Sequence, residues 1–244
     1  MRPWLQRTIE RLTSSKRPAP RSWEVPLDTR EARHLALDWA LLNVQICTRA
    51  EHDDQEDSLR GDYLEFGVFE GNSFLHAHHR GRRRMPWMRF FAFDSFEGLP
   101  EPEGFDEGGE FHGGQFACSQ SRFEQNLREQ DADMTRIRVI PGWYDASLTQ
   151  DMKHDNQLEV CSVAMIDCDL HASTVPVMAF LTDLLRTGSI LLFDDWYNFR
   201  GDPDRGVRRA TRDWLEEHPH ITLETWHPFC HHGQSFIVNV GERA

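Results

Sequence analysis

Short runs that are apolar at nearly every position alternate along the chain with longer stretches whose apolar residues recur at helical spacing. The runs suit strands buried on both faces of a parallel sheet, and the spaced stretches suit the helices that cover it. Strands are predicted at 63–66, 89–93, 137–140, 160–166 and 189–193. A helix is predicted from Asp28 to about Arg49, with Leu35, Trp39, Leu42 and Ile46 turned toward one edge of the sheet. Asp28 and Glu31 give it a capping-box-like start. Further helices are predicted over 72–79, 121–130, 173–185 and 207–217, with Pro176 tolerated in the first turn of the third. Residues 80–84, RGRRR, read as a solvated basic turn. Two late strands at 221–226 and 235–240 read as a terminal hairpin. Alternating strands and helices of this kind predict a mainly parallel sheet with an antiparallel edge. Ahead of it, Trp4, Leu5, Ile9 and Leu12 mark a short amphipathic helix followed by the linker SSKRPAPRS. The expected organisation is an arm over residues 1–27 and a single domain over 28–244.

Composition narrows the partners. The 244 residues are 39% apolar and 11% aromatic, enough for a sizeable core, and the net charge is −13. Such an acidic chain is ill suited to nucleic acid or an anionic membrane, both of which call for basic surface. The five cysteines, Cys47, Cys118, Cys161, Cys168 and Cys230, are odd in number and form no C-x-x-C. They read as reduced thiols, and the opening segment has no apolar core of a signal peptide, so the cytoplasm is the expected location.

The chemistry concentrates at strand ends. Strand one runs into YLEFGVFEGNSF, a strand, a glycine turn and a helix start, the arrangement that offers backbone N–H groups to a nucleotide-like ligand. Its glycines are not spaced as G-x-G-x-x-G. Four predicted strands finish in acids: Glu65, Asp94, Asp167, and Asp194 with Asp195. Gathered at one rim they would repel one another unless a cation or ligand hydroxyls took up the charge; as separate turn residues they would need no ligand. Asp94, with two acceptor oxygens, is placed to take both hydroxyls of a ribose. The segment His227–Pro228–Phe229–Cys230–His231–His232 matches no structural zinc spacing and reads as a loop beside the last strand, with one histidine lining an acceptor pocket. His112 reads as a surface residue of a long Gly-rich loop where a lid would lie, and Cys168 as a small core residue.

The segments YLEFGVFEGNSF, FAFDSFEGLPEPEG, AMIDCDLHAST and GSILLFDDWYNF, in this order, resemble the macrocin O-methyltransferase family. The resemblance spans roughly residues 60–240, and DSFEGLP and FDDW are its most specific parts. It implies a Rossmann-like α/β fold with a seven-stranded sheet, S-adenosylmethionine as cofactor, Mg²⁺, and methylation of a sugar or phenolic hydroxyl in antibiotic biosynthesis. Carried over by position, Glu65, Gly67 and the turn through Phe69, Glu70, Gly71, Asn72 and Ser73 would bind the methionine half of the cofactor. Asp94 would take the ribose, with Ser95 and Phe96 near the adenosine, and Gly142 and Trp143 match the segment after strand three. Asp167, Asp194 and Asp195 match metal-binding acids, Asp167 also standing beside the cofactor and the reacting groups, and Asp169 matches a general base. Many relatives have Asp-Leu-Tyr where this chain has Asp169–Leu170–His171, so His171 is an alternative base. Oxygen ligands favour Mg²⁺, with Mn²⁺ or Ca²⁺ as substitutes. Two other classes compete: a nucleotide-sugar glycosyltransferase using Asp167–Cys168–Asp169 as a D-x-D, which leaves the glycine turn, Asp94 and Asp194–Asp195 without roles, and a non-catalytic cofactor-binding module. The expected partners are a small hydroxyl-bearing acceptor and a second copy of the chain.

Overall fold

The computed structural model describes residues 29–51 and 58–242. The arm predicted over 1–27, the cap at Asp28 and most of the acidic loop after the first helix lie outside the described residues. The first described element is helix α1 (Thr29–Cys47). Strand β1 (Asp62–Phe66) leads through the glycine turn into α2 (Asn72–Arg84), and β2 (Phe90–Asp94) leads into the long Gly-rich loop. Next come α3 (Gln120–Glu129), β3 (Ile137–Pro141), the short helices α4 (Tyr144–Ser147) and α5 (Gln150–Asp155), and β4 (Cys161–Ile166). The chain finishes through α6 (His171–Leu181), β5 (Ile190–Phe193), α7 (Gly206–Glu217), β6 (Ile221–Phe229) and β7 (Gly233–Val240).

The strands form one seven-stranded sheet in the order β3-β2-β1-β4-β5-β7-β6. β1 to β5 are parallel, and β7 runs antiparallel to both β5 and β6, so the expected antiparallel edge is the terminal hairpin. Every residue of β1, β4 and β5 is buried, as mainly apolar runs require of central strands covered on both faces; the polar exceptions are Asp62 and Glu65 in β1 and Ser162 in β4. One face packs Tyr63, Phe90, Val163 and Ile190 against α1, α2 and α3. The other packs Phe66, Phe93, Ile166 and Phe193 against α6 and α7.

Several local expectations are corrected. Helix α1 forms where predicted, but its buried stripe is Ala36, Leu37, Ala40, Leu41 and Val44. Leu35, Trp39 and Ile46 are half exposed or more. Two apolar stripes compete on this helix, and the smaller side chains sit on the side that must approach the neighbouring helix closely. RGRRR is not a turn: it is the last turn of α2. A Cβ on Gly81 would come within 2.8 Å of the Phe90 ring, so the glycine lets the helix lie directly on β2. The arginines beside it suit a helix C-terminus, where backbone carbonyls present partial negative charge. Helix α6 begins two residues earlier than predicted, which puts Pro176 in its second turn. Proline has no N–H, so the carbonyl of Ala172 lacks its usual partner there, and both residues face the cavity described below. The two short helices α4 and α5 were not predicted, being too short to display a period. Among the described residues no helix is long and apolar enough to cross a membrane.

Candidate active site

Strand order reverses between β1 and β4, and in open α/β sheets a crevice forms beyond the carboxyl ends of the strands at that point. The loops there are bonded to one another strand by strand. Gly67 N donates to Phe93 O (2.9 Å), Asp167 N to Phe66 O (2.9 Å), Asp194 N to Ile166 O (3.0 Å) and Gly142 N to Asp94 O (2.9 Å). Above them opens a cavity of about 760 Å³, within the range of small-molecule sites. Its wall brings together Gly67, Phe69, Glu70, Asn72 and Ser73 of the turn, Asp94 and Ser95 after β2, and Gly142 and Trp143 after β3. Asp167, Asp169, Asp194 and Asp195 complete it from the ends of β4 and β5.

The glycine turn is shaped by backbone rather than side chains. Gly67 has φ +85°, and a Cβ there would overlap the carbonyl oxygen of Asp167. Asp94 then fastens the turn from the next strand: one carboxylate oxygen accepts from Val68 N (2.8 Å) and Phe69 N (3.1 Å), the other from Phe96 N (2.7 Å). The residue expected to take the ribose thus also fixes the loop beside it. Oδ2 already accepts two bonds, whereas Oδ1, with one, keeps room for a ribose hydroxyl.

Four expected contacts stand behind the wall. Glu65 is fully buried inside β1, where it accepts from Ser73 Oγ (2.6 Å) and from the Tyr63 hydroxyl. Gly71 packs on Phe123 of α3, and Phe96 stacks obliquely on the same ring at 5.7 Å. His171 is not among the residues that line the cavity: its ring meets Phe105 at 4.9 Å, and burial lowers its pKa. Burial pushes Glu65 up to about 7, against the hydrogen bonds from Ser73 and Tyr63. A carboxyl whose folded pKa is raised binds more protons folded than unfolded, so it favours the fold at low pH. Stability measured by urea titration is therefore expected to fall between about pH 4.5 and 7, and Glu65→Gln should flatten that slope. An unchanged slope in the variant would show that Glu65 ionises freely.

The acids themselves are crowded. Burial raises Asp167 well above the usual carboxylate range, against the pull of Arg33. Burial followed by repulsion from Asp169, Asp167 and Asp194 does the same to Asp195. Asp169, held at φ +62° and 7% exposed, is pushed up to about 7 by burial and by Asp194. Its own N–H donates to Asp195 Oδ2 (3.1 Å), and Asn198 Nδ2 donates to Asp195 Oδ1 (2.8 Å).

Two residues of this region were not anticipated from sequence, and a third is the tail histidine expected to line an acceptor pocket. Arg33, on α1, sends Nε to Asp194 Oδ1 (3.0 Å), Nη2 to Asp194 Oδ2, and Nη1 toward Asp167 Oδ2 (3.2 Å). Burial alone would lower the pKa of Arg33, but Asp167 and Asp194 outweigh it and keep the guanidinium charged. Asp106, in the Gly-rich loop, is 1% exposed and accepts from His171 N (2.7 Å) and Ala172 N (3.1 Å), capping α6 from outside the helix. Asp106→Ala is expected to cost about 1 kcal/mol of stability, as for a lost helix cap, read as a lower melting temperature. No change would mean that the loop is held elsewhere. The third is His232, the tail histidine that reaches the cavity wall, whose ring bonds the carbonyl oxygen of Asp194 through Nδ1. Its nitrogen and the carboxylates of Asp194 and Asp195 lie within 4.8 Å of one another.

That donor set suits a divalent cation. Asp194, Asp195 and Asp167 supply hard oxygens, and His232 adds an imidazole whose Nδ1 lies 3.7 Å from Asp194 Oδ2. One arginine does not balance the gathered acids. Beside the expected Asp167, Asp194 and Asp195 stands His232, and Arg33 bridges Asp167 and Asp194.

Residues 18–223 match the sequence profile of the family described as Macrocin-O-methyltransferase (TylF). No curated protein matches the chain. Among solved structures, the calicheamicin methyltransferase CalS11 is 21% identical with a TM-score of 0.66, the match covering 95% of this chain and 90% of that one. The O-methyltransferase NovP is 18% identical with a TM-score of 0.64, covering 84% and 79% respectively. An O-methyltransferase from Bacillus cereus in complex with SAH is 16% identical with a TM-score of 0.54, covering 98% and 90%. At these identities the structures speak to the fold, and they share it.

Proposed function

The chain belongs to the macrocin-O-methyltransferase family, and from that premise we propose that it methylates a hydroxyl of a sugar-bearing small molecule with the aid of a divalent cation, Mg²⁺ first among candidates. As a member of the family it is an O-methyltransferase enzyme that draws on S-adenosylmethionine. Membership sets aside the glycosyltransferase and non-catalytic readings. The observation that carries the proposal is that one cavity holds both the glycine turn and Asp169.

In the reaction the hydroxyl oxygen forms a bond to the methyl carbon as the carbon–sulfur bond breaks. The sulfonium leaves as a neutral thioether, and the hydroxyl proton passes to Asp169. The cofactor supplies the electrophilic methyl group; the chain has to hold the two reactants in line. Alignment of this kind is worth about 7–11 kcal/mol of barrier. The turn at 67–73, fastened by Asp94, is suited to the methionine end, and Asp94 Oδ1 retains room for a ribose hydroxyl. Asp169, poised at about 7, is suited to accept a proton at neutral pH. Asp194, Asp195 and His232, with Asp167 beside them, would hold the cation, which would lower the pKa of a bound hydroxyl and fix its position.

A sugar acceptor is supported by the size of the cavity and by the neighbour CalS11, described as a TDP-rhamnose 3'-O-methyltransferase. We read residues 28–244 as one catalytic domain carrying an arm over 1–27. The five cysteines are free, which fits the cytoplasm. A homodimer is supported by the exposed stripe Leu35, Trp39 and Ile46 on α1, and light scattering tests it. The functional test is transfer of a labelled methyl group to a panel of nucleotide sugars and glycosides with Mg²⁺. Label on a sugar oxygen is expected, and label on nitrogen or carbon alone would overturn the reading.

A further inference from the structure

We propose that Arg33 is a built-in cation that competes with the divalent ion for Asp194 and Asp167, so that helix α1 is latched to the acids without metal and released when metal binds. The proposal rests on the reading above that these acids take a divalent ion.

Geometry makes the competition direct. Arg33 engages both carboxylate oxygens of Asp194 and one of Asp167, a two-pronged pairing of the strongest hydrogen-bonded kind. A hard divalent ion needs carboxylate oxygens as immediate ligands and tolerates few substitutes. The same oxygens cannot be held fully by the guanidinium and by a metal at once, and the two positive charges repel. Coupling of this kind is reciprocal: whatever Arg33 subtracts from metal affinity, the metal subtracts from the Arg33 latch.

The latch would carry more than one side chain. Thr29 and Arg30, from the same end of α1 as Arg33, also line the cavity. This end is tied to the rim region by Arg33 and by the Cys230 thiol, which donates to Thr29 O (3.1 Å). Farther along, α1 is tied to α2. His34 Nε2 pairs with Asn72 Oδ1 (2.9 Å), the His34 and His76 rings stack at 4.0 Å, and Asp38 meets both His76 (3.1 Å) and Arg80 (2.9 Å). Release of Arg33 would therefore loosen the first turn of α1, ahead of His34, while the contacts to α2 hold the remainder. The cavity would open on the side of Thr29 and Arg30, leaving room for an acceptor beside the acids.

The test has two readouts on the full-length protein, with Mn²⁺ alone as the probe. Calorimetric titration should show Arg33→Met binding Mn²⁺ at least ~5-fold more tightly than the wild type, the lower edge of ordinary coupling between two sites. Simple charge repulsion could produce that gain, so the second readout uses the wild type: amide exchange in residues 29–36 should speed up on adding Mn²⁺. Wild-type binding with unchanged or slower exchange in that segment overturns the latch. So does equal or weaker binding by Arg33→Met. Binding by neither protein overturns the metal reading and this proposal together, whereas the first two results overturn the latch alone. The exchange measurement needs no variant, so a poorly folding Arg33→Met does not rescue the proposal.

Discussion

Asp169→Asn should lower kcat by about 10²–10⁴-fold, the contribution expected of one well-placed general base, while S-adenosylhomocysteine binds nearly as before. The substitution keeps the shape of the side chain. Asparagine adopts positive φ more readily than most residues, so the +62° at this position is retained. The N–H that donates to Asp195 Oδ2 is backbone and survives. What disappears is a carboxylate that burial and Asp194 hold at about 7. Steady-state rates together with cofactor calorimetry separate the possibilities: a loss confined to KM would make Asp169 a binding residue, and an unchanged kcat would remove it from proton transfer. His171→Gln is the companion control. Its ring lies against Phe105, so a rate near wild type is expected, and a loss as large as that of Asp169→Asn would transfer the role of base to His171.

Gly67→Ala should abolish measurable cofactor binding and lower stability. A Cβ at this position overlaps the carbonyl oxygen of Asp167, which is backbone in the central strand's exit loop and cannot swing aside. The positive φ of +85° adds strain of about 1–3 kcal/mol for a residue with a side chain. Relief requires moving the loop after β1 away from the loop after β4, and that separates the turn from the acids. Circular dichroism and cofactor calorimetry read the two effects. Wild-type affinity in this variant would mean that the turn does not cradle the ligand.

The sheet was legible because its central strands announce themselves. The run VCSVAMI is apolar but for Ser162 since β4 lies between β1 and β5 with helices on both faces, and no other setting suits such a run so well. The acids were legible for a related reason: Asp94, Asp167, Asp194 and Asp195 directly end strands or follow them, and parallel strands deliver all their ends to one rim. Glu65 broke that pattern, because one residue before the strand end a side chain points into the sheet's covering layer rather than over its rim. The face of α1 was misjudged because Leu35, Trp39 and Ile46 outweigh Ala36 and Ala40 in size, whereas packing favoured the smaller stripe. Arg33 could not be read at all. Its partner Asp194 is 161 residues away, and no local period records a pairing across that distance. Asp106 left a single trace, the length of the loop that contains it, and only the fold reveals that the loop is docked on α6.

The central claim is that the turn after β1 and the acids after β4 and β5 form one site for S-adenosylmethionine and a hydroxyl. A crystal structure with bound S-adenosylhomocysteine tests it most directly. The prediction is a ligand whose amino-acid end lies over residues 67–73, whose ribose hydroxyls meet Asp94, and whose sulfur faces Asp169 across the cavity. A ligand bound elsewhere, or one with its ribose away from Asp94 and its sulfur turned from the acids, would contradict the account.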